Sequence, residues 1–171
     1  YGVVDDEWRR FATRWNFYEA SHRDQTCNSE ETTPIGSDPH RDDDKNGTED
    51  ECEDIGGGSR CDDIVGRCTI PLRERTIRKI PWHINREFPM DLYEGTEEAL
   101  VAWDNAMRVA VLAGRLSECR RTGEADCESK LGWPVPWSDR YVPPSEGDGP
   151  GVVPTIFVLC HNPVAEEDDE A

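Results

Sequence analysis

Residues 91–121, DLYEGTEEALVAWDNAMRVAVLAGRLSECRR, decide how the rest of the chain is read. Leu100, Trp103, Met107, Ala110, Val111 and Gly114 recur at spacings of three and four, so they fall on one face of a helix, the face a globular protein buries. Thr96 is suited to be its N-cap, and arginines enrich the far end, where the helix dipole favours cations. The pattern predicts a helix over about residues 92–118.

Working outward, residues 68–89, CTIPLRERTIRKIPWHINREFP, place Ile77, Ile80, Trp82 and Ile84 in short strand-like runs interrupted by Pro71 and Pro81. Residues 123–154 carry Gly and Pro at close intervals and read as irregular connection, after which VVPTIFVLC (152–160) has the β-branched and aromatic content of a buried strand. Near the start, DDEWRRFATRWNFYEASH (5–22) sets Trp8, Phe11, Ala12, Trp15 and Tyr18 at helical spacing behind three acidic residues. That predicts a helix over about residues 5–20 with its aromatic stripe in the core. Between Cys27 and Cys68 large apolar residues are almost absent, so burial cannot order that segment.

The expected fold class is therefore α+β: two main helices and a few short strands, with an irregular segment ordered by disulfides and calcium. Its parts are an N-terminal amphipathic helix (1–25), an acidic cysteine-containing segment (26–70), a strand-helix-strand unit (71–164) and an acidic tail (165–171) expected to be disordered.

Composition narrows the function. The 171 residues carry 19 Lys+Arg against 37 Asp+Glu, a formal net charge of -18, which repels phosphate backbones and anionic lipid and favours cations and basic partners. Nucleic acid is not an expected partner; a protein or peptide is. No apolar run approaches the roughly 18 residues that a membrane span needs.

Seven cysteines, at 27, 52, 61, 68, 119, 127 and 160, stand in polar, turn-rich surroundings that suit disulfides in an oxidising compartment, secreted or at a cell surface. Pairing by proximity would join Cys61 with Cys68, Cys119 with Cys127 and Cys27 with Cys52 and leave Cys160 over, but the sequence alone does not fix the connectivity. The opening Tyr1 and the odd cysteine are what a piece of a longer protein would show.

Residues 42–53, DDDKNGTEDECE, hold the chemistry. A calcium loop wraps about twelve residues around a hard cation and presents six or seven oxygens. Asp42, Asp44 and Asn46 occupy positions one, three and five, with Gly47 at six for the sharp turn. Thr48 at seven offers its backbone carbonyl, Asp50 stands at nine, and Glu53 at twelve is placed for a bidentate carboxylate. The competing reading is a solvated acidic run, which has no reason to place Gly at six and Glu at twelve together. Two features depart from a paired helix-loop-helix sensor: Glu49 stands where an apolar anchor is usual, and SDPHR precedes the loop instead of an amphipathic helix. The order Asp-x-Asp-x-Asn-Gly-x-x-Asp-x-Cys resembles the calcium loops of thrombospondin type 3 repeats, in which a cysteine tethers a coreless segment; Cys52 takes that position. The resemblance implies structural Ca2+.

A second resemblance rests on residues 75–111. A strand of the form basic-apolar-Trp-x-Ile-Asn, a proline bend, and a long helix carrying A-x-x-x-W-(D/N)-x-A are similar to the opening strand and first helix of zincin metalloproteases, particularly the metzincin-like secreted bacterial ones. It implies that Ile80, Trp82 and Ile84 form a sheet strand, that Leu100, Trp103 and Met107 pack beneath it, and that TIFVLCHNP is a later strand. The zinc-binding HExxH of that family is absent, and neither His83 nor His161 has a second histidine at ligand spacing. The chain thus has no complete catalytic motif and no catalytic residue to name; Zn2+ belongs only to a longer parent chain. Two functions are expected in competition. One is a calcium-stabilised, non-catalytic N-terminal portion of an extracellular metalloprotease-like protein, the other a secreted calcium-binding interaction module.

Overall fold

A computed structural model of the chain describes residues 16–27, 33–34, 48–49, 52, 58–62, 64–85 and 87–161. Helix α1, Tyr93–Arg121, runs 29 residues and organises everything around it. It begins where the expected range of about 92–118 places it and runs three residues further. Pro89 leads into a 3-10 turn, Met90–Leu92, that continues directly into α1, so Thr96 lies inside the helix and donates its hydroxyl to the Leu92 carbonyl at 2.9 Å. Thr96 is therefore not the N-cap. At the other end Gly123 takes a left-handed φ of 76° and the Glu124 amide turns back to the Cys119 carbonyl at 3.2 Å, which stops the helix.

Strands β6, Ile80–Ile84, and β7, Phe157–His161, pair in parallel with Ile80 opposite Phe157 and Ile84 opposite His161. A parallel pair needs a crossover, and α1 lies within it. The expected run over 152–160 is only partly strand: residues 152–156 lie outside the ladder, although Val153 and Ile156 are fully buried. The core joins Leu100, Val111, Leu112 and Leu116 of α1 to Val153, Ile156 and Phe157, with Phe17, Ile77, Ile80 and Met107 packed against it. A short helix α2, Cys127–Leu131, forms within the stretch expected to be irregular and adds Leu131 to this core.

The buried face of α1 is not the one that apolar spacing indicates. Leu100 and Val111 are buried as expected, but Trp103 is 52 % exposed and Ala110 faces solvent. Asp104, Arg108, Arg115 and Glu118 are buried instead, which turns the face by about a quarter of a turn. The cause is the irregular backbone packed against the helix, which has no ladder of its own and takes its hydrogen bonds from these side chains.

The remaining strands are short. β1, His22–Thr26, pairs with β5, Arg67–Thr69, which pairs with β4, Cys61–Asp62, in an antiparallel sheet of order β1-β5-β4. β2, Thr33–Pro34, pairs antiparallel with β3, Thr48–Glu49. Residues 1–15 of the expected N-terminal helix lie outside the described residues; residues 16–20 are not helical, because Tyr18 makes a β-bridge with Ile77 and the Arg78 amide donates to the Phe17 carbonyl at 2.7 Å. The mixed α+β class stands, with α1 and α2 as its two described helices. The acidic tail 165–171 also lies outside the described residues.

Candidate functional site

Three linkages between cysteines order what apolar burial cannot. In the hairpin of β4 and β5, Cys61 and Cys68 stand abreast, but each is bonded outward: Cys27 to Cys61 and Cys52 to Cys68. The proximity pairing of Cys61 with Cys68 and Cys27 with Cys52 is thus corrected. Residues abreast on a ladder hold their Cβ atoms about 4.5–5.5 Å apart, wider than the roughly 3.5–4.5 Å a disulfide spans. Bonding outward ties two distant segments to the hairpin. The loops closed, with separations of 34 and 16, each contribute on the order of 3 kcal/mol. Cys119 joins Cys127 as expected, and Cys160 has no disulfide partner. Cys52 and Cys68 are completely buried, as is Ser59, whose hydroxyl donates to the Thr69 carbonyl at 2.7 Å. In the described part of this segment, sulfur takes the place of an aliphatic core.

Of the residues expected to hold calcium, Asp42, Asp44, Asn46, Asp50 and Glu53 lie outside the described residues. Thr48 lies in β3, opposite Pro34. Proline has no N–H to donate, and in the alternative ladder parity a carbonyl points away from its partner strand. Either way the Thr48 carbonyl receives no ladder hydrogen bond from β2, and this is the oxygen that position seven of a calcium loop supplies. Glu49, lacking the apolar side chain usual at its position, is held by backbone pairing with Thr33. Five residues further than Asn46-Gly47, Cys52 anchors the same segment through Cys68.

Asp62 shows how a carboxylate beside this region is committed to the fold. Its Oδ2 lies 3.1 Å from His22 Nε2, and its Oδ1 accepts from the Ile64 and Val65 amides at 3.0 and 3.2 Å, closing the hairpin turn. The hydrogen bond from His22, with those from the turn amides, holds the carboxyl below the usual carboxylate range. His83, in β6, is exposed. Among the described residues one group of three or more metal-ligating side chains gathers: the sulfurs of Cys27, Cys52 and Cys61 lie within 4.8 Å of one another.

The joint between the cysteine-rich segment and α1 is a cleft of about 470 Å³ lined by Arg60, Arg75, Arg121 and Glu118. Glu118 crosses it, accepting from the Leu72 amide at 2.9 Å and the Arg73 amide at 3.3 Å, while Arg121 donates to the Gly58 carbonyl at 2.9 Å. Further along α1, Asp104 Oδ1 accepts from the Ile156 and Phe157 amides at 2.6 and 2.9 Å. Arg108 donates to the Val153 and Pro143 carbonyls, and Arg115 to those of Pro150 and Val152. These ionic side chains were not singled out from sequence. The i, i+4 spacing of Asp104 and Arg108 was the available signal.

A separate surface lies across α1, where Trp133 stacks on Trp137 at 4.9 Å and a groove of about 590 Å³ is lined by Ala106, Val109, Trp137, Tyr141 and Val142. Among the described residues, no helix is long and apolar enough to cross a membrane. Comparison with protein-family models, curated proteins and solved structures gives no match, so every functional statement rests on these residues.

Proposed function

We propose that this chain is a calcium-stabilised, non-catalytic portion of an extracellular metalloprotease-like protein, with the zinc site outside these residues. The three disulfides suit an oxidising, extracellular setting. The observation that carries the calcium part is a pair of anchors within residues 42–53: β3 leaves the Thr48 carbonyl unclaimed by its ladder, and Cys52 ties the segment to the hairpin. A cation bound by Asp42, Asp44, Asn46, Thr48, Asp50 and Glu53 would stabilise the folded form by binding it in preference to the unfolded one. The metalloprotease part draws support from β6, α1 and β7, a parallel pair with its helix in the crossover, beside the strand and helix pattern of residues 75–111.

The test is thermal unfolding of the oxidised chain with and without calcium. Millimolar calcium should raise the midpoint by several degrees, and Asp44→Ala with Glu53→Gln should abolish the rise. An unchanged midpoint removes the metal. Chelator-sensitive peptidase activity in these 171 residues would contradict a non-catalytic role.

The Trp133–Trp137 stack, with Trp137 52 % and Val135 76 % exposed, favours a second reading, a secreted calcium-binding interaction module. The gene separates the two. A frame continuing into HExxH supports the first, and a stop after Ala171 supports the second.

A further inference from the structure

Acidic residues outnumber basic ones by 37 to 19 in this chain, yet the cleft between the cysteine-rich segment and α1 reverses that balance. Among the described residues, Arg60, Arg75 and Arg121 line it against one carboxylate, Glu118. That carboxylate is already committed. Its Oε1 accepts from the Leu72 amide at 2.9 Å and its Oε2 from the Arg73 amide at 3.3 Å, and Arg121 Nη2 stands 3.9 Å from Oε1. Arg75 donates through Nε to the Ile70 carbonyl at 2.7 Å and holds its guanidinium carbon 5.2 Å from the centre of the Tyr18 ring. Neither Arg60 nor Arg75 has an acidic partner at ion-pair distance among the described residues, and no hydrogen bond engages the Arg75 Nη groups or the Arg60 guanidinium there. Burial, and beside it the positive charge of Arg60, holds the Arg75 pKa below its ordinary value. A bound anion would relieve that like-charge repulsion.

The rest of the lining suits an organic anion. Ser117 adds an exposed hydroxyl, and Leu72 packs at Gly114, where a Cβ would come 3.3 Å from Leu72 Cδ1, so part of the wall is apolar. The volume of about 470 Å³ falls in the range of small-molecule sites. We propose that this cleft binds a small organic dianion, its oxygens held by Arg60 and Arg75 with Arg121 beside them and its carbon body against Leu72. Planar guanidinium groups present paired N–H donors that match carboxylate and phosphate oxygens. Three of them against one carboxylate favour two negative charges on the ligand over one. A net charge of -18 repels anions at long range, so the cleft holds its ligand through contacts at hydrogen-bond distance, where Coulomb attraction is strongest. Short dicarboxylates and phosphate monoesters share this chemistry. The site uses no residue of the calcium loop and no zinc ligand, so it stands apart from the calcium and metalloprotease reading.

The experiment is isothermal titration calorimetry of the full oxidised chain with sodium succinate and, separately, sodium glycerol 2-phosphate at about pH 8, where the phosphate is doubly charged. Sodium chloride at matched ionic strength is the blank. At least one of the two dianions should bind saturably with one ion per chain, and the pair tells a planar head group from a tetrahedral one. Acetate, with a single charge, should bind at least tenfold more weakly than whichever dianion binds. Arg60→Gln and Arg75→Gln should each weaken that binding at least tenfold, whereas Arg140→Gln, in the separate groove beside Trp137, should leave it unchanged. Arg60 is exposed and its side chain has no partner among the described residues, so Arg60→Gln reports on the site even if Arg75→Gln disturbs the contacts with Ile70 and Tyr18. No saturation by either dianion at tens of millimolar, or an equal loss in Arg140→Gln, overturns the proposal.

Discussion

Asp104 carries an unusual share of this fold for one side chain. Only 9 % of it is exposed, and it accepts two backbone N–H groups at the start of β7 while Arg108 lies 3.6 Å away on the next turn of α1. Removing it would leave two amides and a guanidinium without that acceptor in a buried place. Asp104→Ala should therefore destabilise the chain by about 3–5 kcal/mol, read from the urea midpoint. A loss under about 1 kcal/mol would mean that water replaces the carboxylate. Asp62 makes a different prediction. Its folded pKa is depressed by His22 and the turn amides, so its contribution is present above the ordinary carboxylate value and is lost as pH falls through the folded one. Asp62→Asn should thus be less stable than the parent at pH 7, and the gap should close as the pH is lowered below the ordinary carboxylate value. Urea unfolding of both proteins across that range checks the sign, and a gap that widens on acidification contradicts it.

At the scale of elements, α1 joins two kinds of contact on one face. Aliphatic side chains meet β7 and α2, while Asp104, Arg108, Arg115 and Glu118 satisfy irregular backbone from residues 72–73 and 143–157. Apolar spacing alone selects Trp103 as a core residue and passes over Leu112, yet Trp103 is 52 % exposed and Leu112 has no exposed surface. Leu112→Ala should cost about 2–5 kcal/mol through lost contacts and a cavity, whereas Trp103→Ala should cost less than about 1 kcal/mol. Differential scanning calorimetry of the two variants distinguishes the faces. Equal losses would restore the face that the sequence pattern indicates.

For the whole molecule, a net charge of -18 makes the folded chain repel itself, and any cation relieves some of that repulsion. The calcium response must therefore exceed that of sodium chloride at matched ionic strength, which screens without coordinating. A specific loop gives a saturating rise in the unfolding midpoint at low millimolar calcium, and simple screening gives equal rises for both salts. The architecture explains where such a rise would originate. Two disulfides and two small sheets order the described part of the acidic segment, while the larger apolar core lies on α1.

The residues by themselves determined the α+β class, the long helix, both strands of the parallel pair and the need for cross-links where apolar residues are missing. These follow from local periodicity and β-branched content, which act within a few residues of one another. Tertiary structure alone decided that Cys61 and Cys68 bond outward, that Tyr18 joins a bridge to Ile77, and that α1 buries Asp104 and Arg108 in preference to Trp103. Each of those outcomes depends on which distant backbone comes to lie alongside, and a buried amide or carbonyl without a partner costs more than an exposed tryptophan.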